Sequence, residues 1–428
     1  MGMKVLLVGG GGREHALAWK IAQSPLVEKL WCAPGNPGIA LHAECVPIQA
    51  EAIDTLTAFA VEKAIDLAVI GPEAPLTLGL SDRLRERGIA VFGPSMAAAR
   101  LEGSKAFMKD LLDRHAIATA AYRTFRDPAE AHAYVTAQGA PIVVKTSGLA
   151  AGKGAIVCST LEEAHAAIDR IMVEREFGSA GDEVVVEGFL KGEEASLLAF
   201  VDGERVLPLA GAQDHKAIFD GDLGPNTGGM GAYSPAPCLT PALVRRAVEE
   251  IILPTVRGMA AEGYPYRGIL YAGLMIDGDD LRILEYNVRF GDPECQPLLM
   301  RMRSDIIPYL LACASGSLEG MSIDWDPRAA LCVVMAAQGY PGAYPKGDAI
   351  AGLDRAAEVT DTMVFHAGTR GLEGRIVTAG GRVLGVTALG DGVAAAQQRA
   401  YEAVTRIDWS GVQYRRDIGY RAVARERS

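Results

Sequence analysis

The chain has 428 residues, more than one ordinary hydrophobic core accommodates, so two to four domains are expected. Its contents of 49% hydrophobic and 22% charged residues are typical of a folded globular protein and exclude a disordered one. The net charge of −11 argues against nucleic acid or an anionic membrane as the main partner, because both require a basic surface.

Seven cysteines are scattered singly without a CxxC pair, which argues against a zinc site or a disulfide framework. The first residues lead directly into a predicted strand without a signal pattern. No apolar run approaches the ~18 residues of a membrane span. We therefore expect a cytoplasmic protein without a membrane partner.

The first strand is predicted at residues 4–8, followed by a glycine-rich turn and a helix over about 13–22. The amide groups of this turn and the positive end of the helix dipole favour phosphate. The spacing of a dinucleotide site is not met, because Glu14 or His15 occupies the third glycine position. A phosphate monoester is the preferred ligand.

Strands and helices alternate up to about residue 100, with strands at 64–70 and 89–92 and a helix near 78–86. This alternation predicts a small doubly wound parallel sheet. Its ligand is expected at the carboxyl ends of the strands, where four turns gather: 9–12, 34–37, 71–75 and 93–95.

The pattern changes at residue 101, where a helix is predicted after Ser104 as its N-cap. Lys105 lies in the first turn, and a cation there opposes the helix dipole. This placement indicates an anionic partner; the alternative is a solvated surface lysine.

A second lysine, Lys145, ends a buried-type strand at 141–145, and a Gly/Ala loop at 147–154 leads into a strand at 155–158. Such a strand–loop–strand unit closes over a nucleoside triphosphate in some proteins, although it is not a Walker loop. Strands at 183–190 and 191–200 follow, and the backbone between them has the donor and acceptor that an adenine edge requires.

The polar, glycine-rich stretch 220–232 is predicted to be a functional loop or disordered. A helix over about 241–262 comes next, and residues 295–315 are helical. From about residue 327 a separate module is expected, whose elements are strands near 331–337, 363–367 and 382–388, a helix at 393–407 and a basic tail.

The hairpin of strands 268–277 and 281–288 carries a row of polar side chains. Glu285, Asn287 and Arg289 point to one face if the strand is regular. Carboxylate and amide oxygens suit Mg²⁺, and a guanidinium suits a transferred phosphoryl group. The alternative is an edge strand with a solvated polar face.

Sequence motifs run through nearly the whole chain in a fixed order: GGGGREHALAW, APGNPG, GPEAPL, FGPS, LEGSKAFMK, KTSGLAAGKG, QDHK, GPNTGGMGAYSP, YAGLMID, LEYNVRFGDPE, VVMAAQGYPG and FHAGT. In this order they resemble the glycinamide ribonucleotide synthetase (phosphoribosylamine–glycine ligase) family of the ATP-grasp superfamily.

The resemblance implies an α/β multidomain fold. It places an N-terminal doubly wound domain for the substrate phosphate at 1–102 and an ATP-grasp domain at 103–326. The latter includes a mobile lid subdomain at about 122–192. A small α+β C-terminal domain at 327–428 completes the expected architecture.

The activity implied is ATP-dependent ligation of glycine to 5-phosphoribosylamine through a glycyl phosphate, giving glycinamide ribonucleotide, ADP and phosphate in purine biosynthesis. ATP and Mg²⁺ or Mn²⁺ are the implied cofactors. The upstream amidotransferase is the implied partner for a transient hand-over of phosphoribosylamine. The alternative is another ATP-grasp carboxylate–amine ligase or carboxylase of nucleotide metabolism.

Carried over by position, the resemblance assigns ATP contacts to three lysines, two lid glycines, the adenine hinge and a ribose-side acid: Lys105, Lys145, Lys153, Gly152, Gly154, Glu187, Gly188, Phe189, Leu190 and Glu194. It assigns the metal to Glu285 and Asn287, and the phosphoryl group to Arg289. Glycine and its acyl phosphate are assigned to Asp214, Lys216, Asn226, Thr227, Gly228 and Gly229. The phosphoribosyl group is assigned to Gly9, Gly10, Gly11, Gly12, Arg13, Asn36 and Glu73.

Two positions depart from the pattern of the superfamily. Gly273 stands near the place of a further metal ligand and has no donor, so two protein ligands are expected to hold the metal until ATP arrives. Ser147 stands where the resemblance leads us to expect Asp, so this chain has one charge fewer beside the lid.

Overall fold

A computed structural model describes residues 2–150 and 152–427, so Ala151 of the predicted lid loop lies outside the described residues. The first region contains strands β1 (Met3–Gly9), β2 (Val27–Pro34), β3 (Glu44–Cys45), β4 (Leu67–Ile70) and β5 (Ala90–Phe92). Its helices are α1 (Gly12–Ile21), α2 (Ile53–Glu62), α3 (Glu73–Thr77), α4 (Leu80–Arg85) and α5 (Arg100–Gly103).

These strands form a parallel sheet in the order β3-β2-β1-β4-β5. The winding therefore reverses between β1 and β4, and the turns after these two strands meet at one edge, where α/β sheets bind ligands. The predicted doubly wound sheet is confirmed. The helix predicted near 78–86 is confirmed as α4, and Gly79, with a φ of +84°, separates it from the short α3.

Helix α6 (Lys105–Arg114) leads into a second sheet, whose elements are β6 (Tyr122–Phe125), α7 (Pro128–Gln138), β7 (Ile142–Thr146), β8 (Ala155–Cys158), α8 (Leu161–Ile168) and β9 (Val184–Gly188). The strands pair antiparallel in the order β6-β9-β7-β8. Valines of β7 and β9 pack against α7 and α8 in a separate small core. We call this unit the lid.

The next part of the chain contains β10 (Glu193–Asp202), β11 (Val206–Pro208), β12 (Gln213–Asp214), β13 (Ala217–Phe219), β14 (Leu223–Asn226), β15 (Gly231–Ser234), α9 (Pro241–Ala247), α10 (Leu253–Ala261), β16 (Arg267–Asp277), β17 (Asp280–Asn287), α11 (Cys295–Arg301) and α12 (Ile307–Ser315). A π-helical turn, Val248–Ile252, joins α9 to α10, so the helix predicted at 241–262 is confirmed.

The central antiparallel sheet has the order β11-β10-β16-β17. Gly273 pairs with Glu285 and Leu274 with Ile283, which leaves Leu284 as a bulge. Strand β17 ends at Asn287, so Arg289 lies beyond the strand rather than within a regular row. A bulge re-aims the side chains next to it, which is why alternation alone does not describe this row.

The last elements are β18 (Ala329–Ala336), α13 (Leu353–Ala357), β19 (Thr362–His366), β20 (Thr369–Leu372), β21 (Arg375–Thr378), β22 (Arg382–Gly390), α14 (Val393–Val404) and α15 (Tyr420–Arg427). The module predicted from residue 327 shares its sheet with the preceding part of the chain, because the sheet has the order β12-β15-β18-β22-β19 and includes two strands from residues 213–234.

Two further expectations change. The stretch 220–232 is not an open loop: β13 and β14 pair as a hairpin around Gly221 and Asp222, both with positive φ. The basic tail forms α15, whose Glu426 accepts hydrogen bonds from the backbone of Val393 and Ala394 at the start of α14. Within residues 2–150 and 152–427, no helix combines the length and apolar character that a membrane crossing requires.

Candidate active site

A cavity of about 360 Å³ opens where the first region, the lid, the central sheet and the last sheet meet. Its wall contains most of the predicted ionisable and polar side chains: Arg13, Glu73, Lys105, Lys145, Glu194, Asp214, Lys216, Glu285, Asn287 and Arg289. It also contains most of the predicted loop residues: Gly152, Gly154, Glu187, Gly188, Phe189, Leu190, Asn226, Thr227 and Gly228.

The remaining predicted residues do not belong to this wall: Gly9, Gly10, Gly11, Gly12, Asn36, Lys153 and Gly229. Lys153 donates from Nζ to the carbonyl of Pro341 at 2.6 Å, so its ammonium group is turned toward the last sheet and its connecting loops. Its neighbour Gly152 packs against the carbonyl of Thr227, which lies 3.0 Å from the position of a Cβ on that glycine.

The N-terminus of α1 already has an anionic partner. The amide of Gly11 donates to the Glu14 carboxylate at 2.7 Å, and Arg13 Nε pairs with the same carboxylate at 2.6 Å. Glu14 therefore occupies one of the amides that were predicted to bind phosphate. Arg13 is the predicted residue of this turn that lines the cavity.

Asn36 is fixed by hydrogen bonds at both ends of its side-chain amide. Its Nδ2 donates to the carbonyls of Gly10 at 2.9 Å and His366 at 2.8 Å, and its Oδ1 accepts from the amides of Gly38 and Ile39 at 2.9 Å each. These bonds use both donors and both acceptor positions of the side chain. Asn36 therefore joins the first region to β19.

One end of the cavity is rich in lysine. Lys145 and Lys109 both form ion pairs with the buried carboxylate of Glu187. Lys109 also donates to Thr119 Oγ1 at 2.7 Å. Lys105 has no carboxylate at ion-pair distance in the described parts of the chain. Burial lowers the pKa of Lys105, although Glu285 raises it.

Two serines bring Lys105 to this end. Ser104 Oγ accepts from the Phe107 amide and Ser147 Oγ accepts from the Ala106 amide, both at 3.2 Å. The carbonyl of Ser147 accepts from the Lys105 amide at 2.8 Å. The start of α6 is therefore attached to the end of β7, and Ser147 acts as a helix cap without a negative charge.

Glu285 and Asn287 face the cavity beside the lysines. Burial raises the pKa of Glu285, but Lys145 and Lys105 outweigh it, so the pKa is lowered and the group is a carboxylate. No side chain of the described residues donates a hydrogen bond to this carboxylate. Asn287 Oδ1 accepts only a long bond of 3.3 Å from Arg289 Nη2.

The other end of the cavity is rich in arginine. Arg289 pairs with Glu102 at 2.8 Å and with Glu73 at 3.2 Å. Burial raises the pKa of Glu102 to about 7. Burial also acts to raise the pKa of Glu73, but the charges of Arg289 and Arg13 outweigh it and lower the value to about 2.

A third group of ionisable side chains also lines the cavity. Lys216 Nζ contacts Glu194 at 2.5 Å and Asp214 at 3.1 Å. Burial raises the pKa of Asp214 to about 6, although Lys216 acts to lower it. The carbonyl of Lys216 accepts from the amide and the hydroxyl of Thr227, both at 2.8 Å, so the pair and the loop 226–229 are joined.

Sequence reasoning missed five residues that shape this site: Glu102, Lys109, Asp292, Tyr340 and Arg382. Lys109 had a readable signal, because it follows Lys105 by four positions on one helix face. The other four come together only through contacts between distant segments.

Comparisons with known proteins agree with this geometry. Models of three domains of phosphoribosylglycinamide synthetase match the chain: the N domain at residues 3–102, the ATP-grasp (A) domain at 103–295 and the C domain at 330–421. A phosphoribosylamine–glycine ligase of Vibrio vulnificus (strain CMCP6) is 59% identical over 427 residues, which cover 99% of each chain. The chain belongs to the phosphoribosylglycinamide synthetase family.

Solved structures agree with this membership. The crystal structure of a phosphoribosylamine–glycine ligase from Thermotoga maritima is 35% identical, with a TM-score of 0.84, and the match covers 97% of this chain and 100% of that chain. A biotin carboxylase domain of a 2-oxoglutarate carboxylase from Hydrogenobacter thermophilus has a TM-score of 0.73 at 17% identity, covering 97% of this chain and 92% of that chain, and shares the fold. The resemblance and the three-domain ATP-grasp architecture read from the sequence are thus confirmed, and the chain is an ATP-dependent ligase.

Proposed function

We propose that the chain joins glycine to 5-phosphoribosylamine with ATP, forming glycinamide ribonucleotide, ADP and phosphate. The observation that carries this proposal is the lysine end of the cavity, where Lys105 and Lys145 line the wall and Lys105 has no carboxylate at ion-pair distance among the described residues. A buried ammonium group without such a partner favours a negatively charged ligand, such as a triphosphate.

ATP is proposed to place its phosphates against Lys105 and Lys145. The adenine lies against Phe189, an exposed aromatic residue of the cavity wall, and bonds to the backbone at 188–190. The side chain of Glu187 holds two lysines, so only its backbone belongs to the hinge. Glu194 remains the proposed ribose contact, although in this structure it pairs with Lys216.

The donor set of Glu285 and Asn287 fits a hard divalent cation, since a carboxylate without a hydrogen-bond donor and an amide oxygen face the phosphate end. We propose Mg²⁺ or Mn²⁺ with these two protein ligands. Gly273, which pairs with Glu285 in the sheet, contributes no third donor. When bound, the cation neutralises phosphate charge and orients the γ-phosphate.

The chemistry has two balanced steps. A carboxylate oxygen of glycine forms a bond to the γ-phosphorus, and the bond from that phosphorus to the β,γ-bridging oxygen breaks to release ADP. The amine nitrogen of phosphoribosylamine then bonds to the carbonyl carbon of glycyl phosphate, and the C–O bond to phosphate breaks as the amine loses a proton. The protein acts mainly by positioning and charge stabilisation.

Substrate contacts are assigned from the cavity wall. Asp214, Lys216 and loop 226–229 are proposed to hold glycine, and Arg289 is proposed to orient the transferred phosphoryl group. Arg13 and Glu73 are proposed to contact phosphoribosylamine, whereas Asn36 and the glycines of the first turn shape the wall from behind. A cytoplasmic location and a hand-over from the amidotransferase remain predictions.

The decisive assay measures ADP release by the full chain with ATP, Mg²⁺, glycine and phosphoribosylamine, omitting each in turn. We expect release to require both glycine and phosphoribosylamine. Release that is indifferent to glycine but depends on formate or bicarbonate would assign the chain to the alternative class of ATP-grasp enzymes.

A further inference from the structure

The loop 226–229 has two kinds of anchor. Its first half is tied to the ATP-grasp core, because Thr227 bonds to the carbonyl of Lys216 and the Gly229 amide donates to Thr227 Oγ1 at 3.0 Å. Its second half is tied to two side chains of the last region, Tyr340 and Arg382. Neither residue has a role in the function proposed above.

Arg382 bridges two backbone segments of the cavity wall. Its Nη1 donates to the carbonyl of Gly228 at 2.5 Å and to the carbonyl of Asp292 at 2.6 Å, with a longer bond of 3.4 Å to Gly229. Its Nη2 pairs with the Asp292 carboxylate at 3.3 Å. The Tyr340 hydroxyl accepts from the Gly228 amide at 3.1 Å.

Loop 226–229 packs closely against Arg382 and Pro293, which restricts its movement. A Cβ on Gly228 would lie 3.1 Å from Arg382 Cζ, and one on Gly229 would lie 2.5 Å from Pro293 Cδ. Gly229 also has a φ of +110°, which other residues rarely adopt. The position of the loop therefore follows the position of Arg382 and of the turn at 291–294.

Arg382 bonds to the turn at 291–294, which begins two residues after Arg289. Asp292 of this turn is itself part of the cavity wall. Only 23% of the Arg382 side chain and 17% of the Asp292 side chain are exposed. Charge-assisted hydrogen bonds shielded from water in this way are stronger than exposed ones. One guanidinium thus fixes the distance between the proposed glycine loop and the proposed phosphoryl site.

We propose that Arg382, assisted by Tyr340, is a positioning residue for glycine: it holds loop 226–229 in register with the phosphoryl site. The C-terminal domain thereby sets the affinity of a subsite built on the ATP-grasp domain. This inference rests on the proposed function. Arg382 is proposed to act through the carbonyls of Gly228 and Asp292 and through the Asp292 carboxylate.

The test compares Arg382→Met, Arg382→Lys and Tyr340→Phe by steady-state kinetics with each substrate varied. We expect Arg382→Met to raise the KM for glycine about tenfold or more, because charge-assisted bonds are lost. Arg382→Lys should recover part of this loss, since it keeps the charge without the planar fork. Tyr340→Phe should raise the same KM about two- to fivefold. The KM for ATP should change by less than about twofold in all three, because the lysine end is untouched.

Arg399→Met is the matched control. Arg399 also joins a carboxylate, Asp361, to a backbone carbonyl within the last region, and it lies outside the cavity wall. Equal changes in the KM for glycine and for ATP, or the same change in Arg399→Met, would overturn the inference. So would a rise confined to the KM for phosphoribosylamine, which would make Arg382 a contact for that substrate. Wild-type enzyme without glycine-dependent ADP release would instead overturn the proposed function.

Discussion

The two ends of the cavity use buried charge differently. At the lysine end, Lys105 has no carboxylate at ion-pair distance within the described residues, and Lys109 and Lys145 share one carboxylate, Glu187. At the arginine end, every guanidinium of the cavity wall has a partner of its own: Arg13 with Glu14, Arg289 with Glu73 and Glu102, and Arg382 with Asp292.

This difference predicts separate roles for the two ends: the lysine end binds a ligand, and the arginine end positions the groups of the site. Unbalanced cations in a desolvated site gain most when a ligand supplies the missing negative charge. Guanidiniums that are already paired have little net charge to offer, but their direction is fixed by several bonds. We therefore expect the lysine end to determine ATP affinity and the arginine end to determine geometry and stability.

The largest loss of turnover is expected from Lys145→Met, which tests the role of the lysine end of the cavity. Loss of this ammonium removes a phosphate contact and one of the two partners of Glu187. Turnover should fall by at least about 100-fold, as for other charged groups that stabilise a transition state. Initial rates of ADP release measure this loss.

Lys29→Met is the control for the loss of a lysine charge, because Lys29 forms an exposed ion pair with Glu44. It should leave turnover unchanged, since such surface pairs contribute ~0–1 kcal/mol to stability. If Lys145→Met retained more than about a tenth of wild-type turnover, the lysine end would not be the phosphate site.

Asn287→Leu, in the cavity wall, should cause the next largest loss of turnover. It removes one of two proposed metal ligands while losing only a long bond to Arg289. Turnover should fall at least about 10- to 100-fold, with a higher Mg²⁺ requirement, because even the loss of a group that only orients a metal ligand has an effect of this size. A variant with normal specific activity but a clearly lowered Tm would show that Asn287 serves packing rather than metal binding.

Glu73→Gln tests the arginine end through stability. The folded-state pKa of Glu73 is about 2, below its ordinary value of 4.5. The carboxylate therefore contributes stability that is fully present above about pH 4.5 and is lost as the pH falls toward 2. The variant should be about 1–2 kcal/mol less stable at pH 7, the range for a partly shielded ion pair.

Urea unfolding at pH 7 and at pH 3 measures this difference. The gap between wild type and Glu73→Gln should narrow at pH 3, because Glu73 is then mostly protonated in the unfolded wild type and must lose that proton to fold with its ion pairs. Glu44→Gln, which alters an exposed pair, is the control and should differ little from wild type at either pH. A gap that widens in acid would contradict the assigned direction of the shift.

The smallest change in stability is expected from Ser147→Asp, which replaces the neutral cap of α6 with a charged one. Asp keeps an acceptor for the amide of Ala106 at the N-terminus of α6 and adds a favourable charge there. Stability should rise by about 0.3–1 kcal/mol, the usual range for an acid at this end of a helix. Thermal unfolding measures it; a loss of more than about 1 kcal/mol would show that the site accepts only a neutral cap.

The sequence predicted local features well. Short apolar runs located β1, β7 and β9, and Ser104 was predicted as an N-cap because capping depends on a few adjacent residues. The grouping of Lys105, Lys145 and Glu285 was predicted from the resemblance to the family, whose motifs mark these positions. These predictions need no knowledge of distant contacts.

What the sequence did not predict arises from packing between distant segments. Glu102 reaches Arg289, and Arg382 reaches the carbonyl of Asp292, only after the three regions have assembled. The bulge at Leu284 and the strands that β12 and β15 give to the last sheet have the same origin. Contacts between residues that are distant in the chain produce no periodic pattern in a single sequence.

The most direct test of the division between the two ends is the equilibrium binding of ATP with Mg²⁺, measured by calorimetry on wild type, Lys145→Met and Glu73→Gln in parallel. We expect ATP affinity to fall at least about tenfold in Lys145→Met and to change by less than about threefold in Glu73→Gln. Equal losses in the two variants, or a loss confined to Glu73→Gln, would contradict this division.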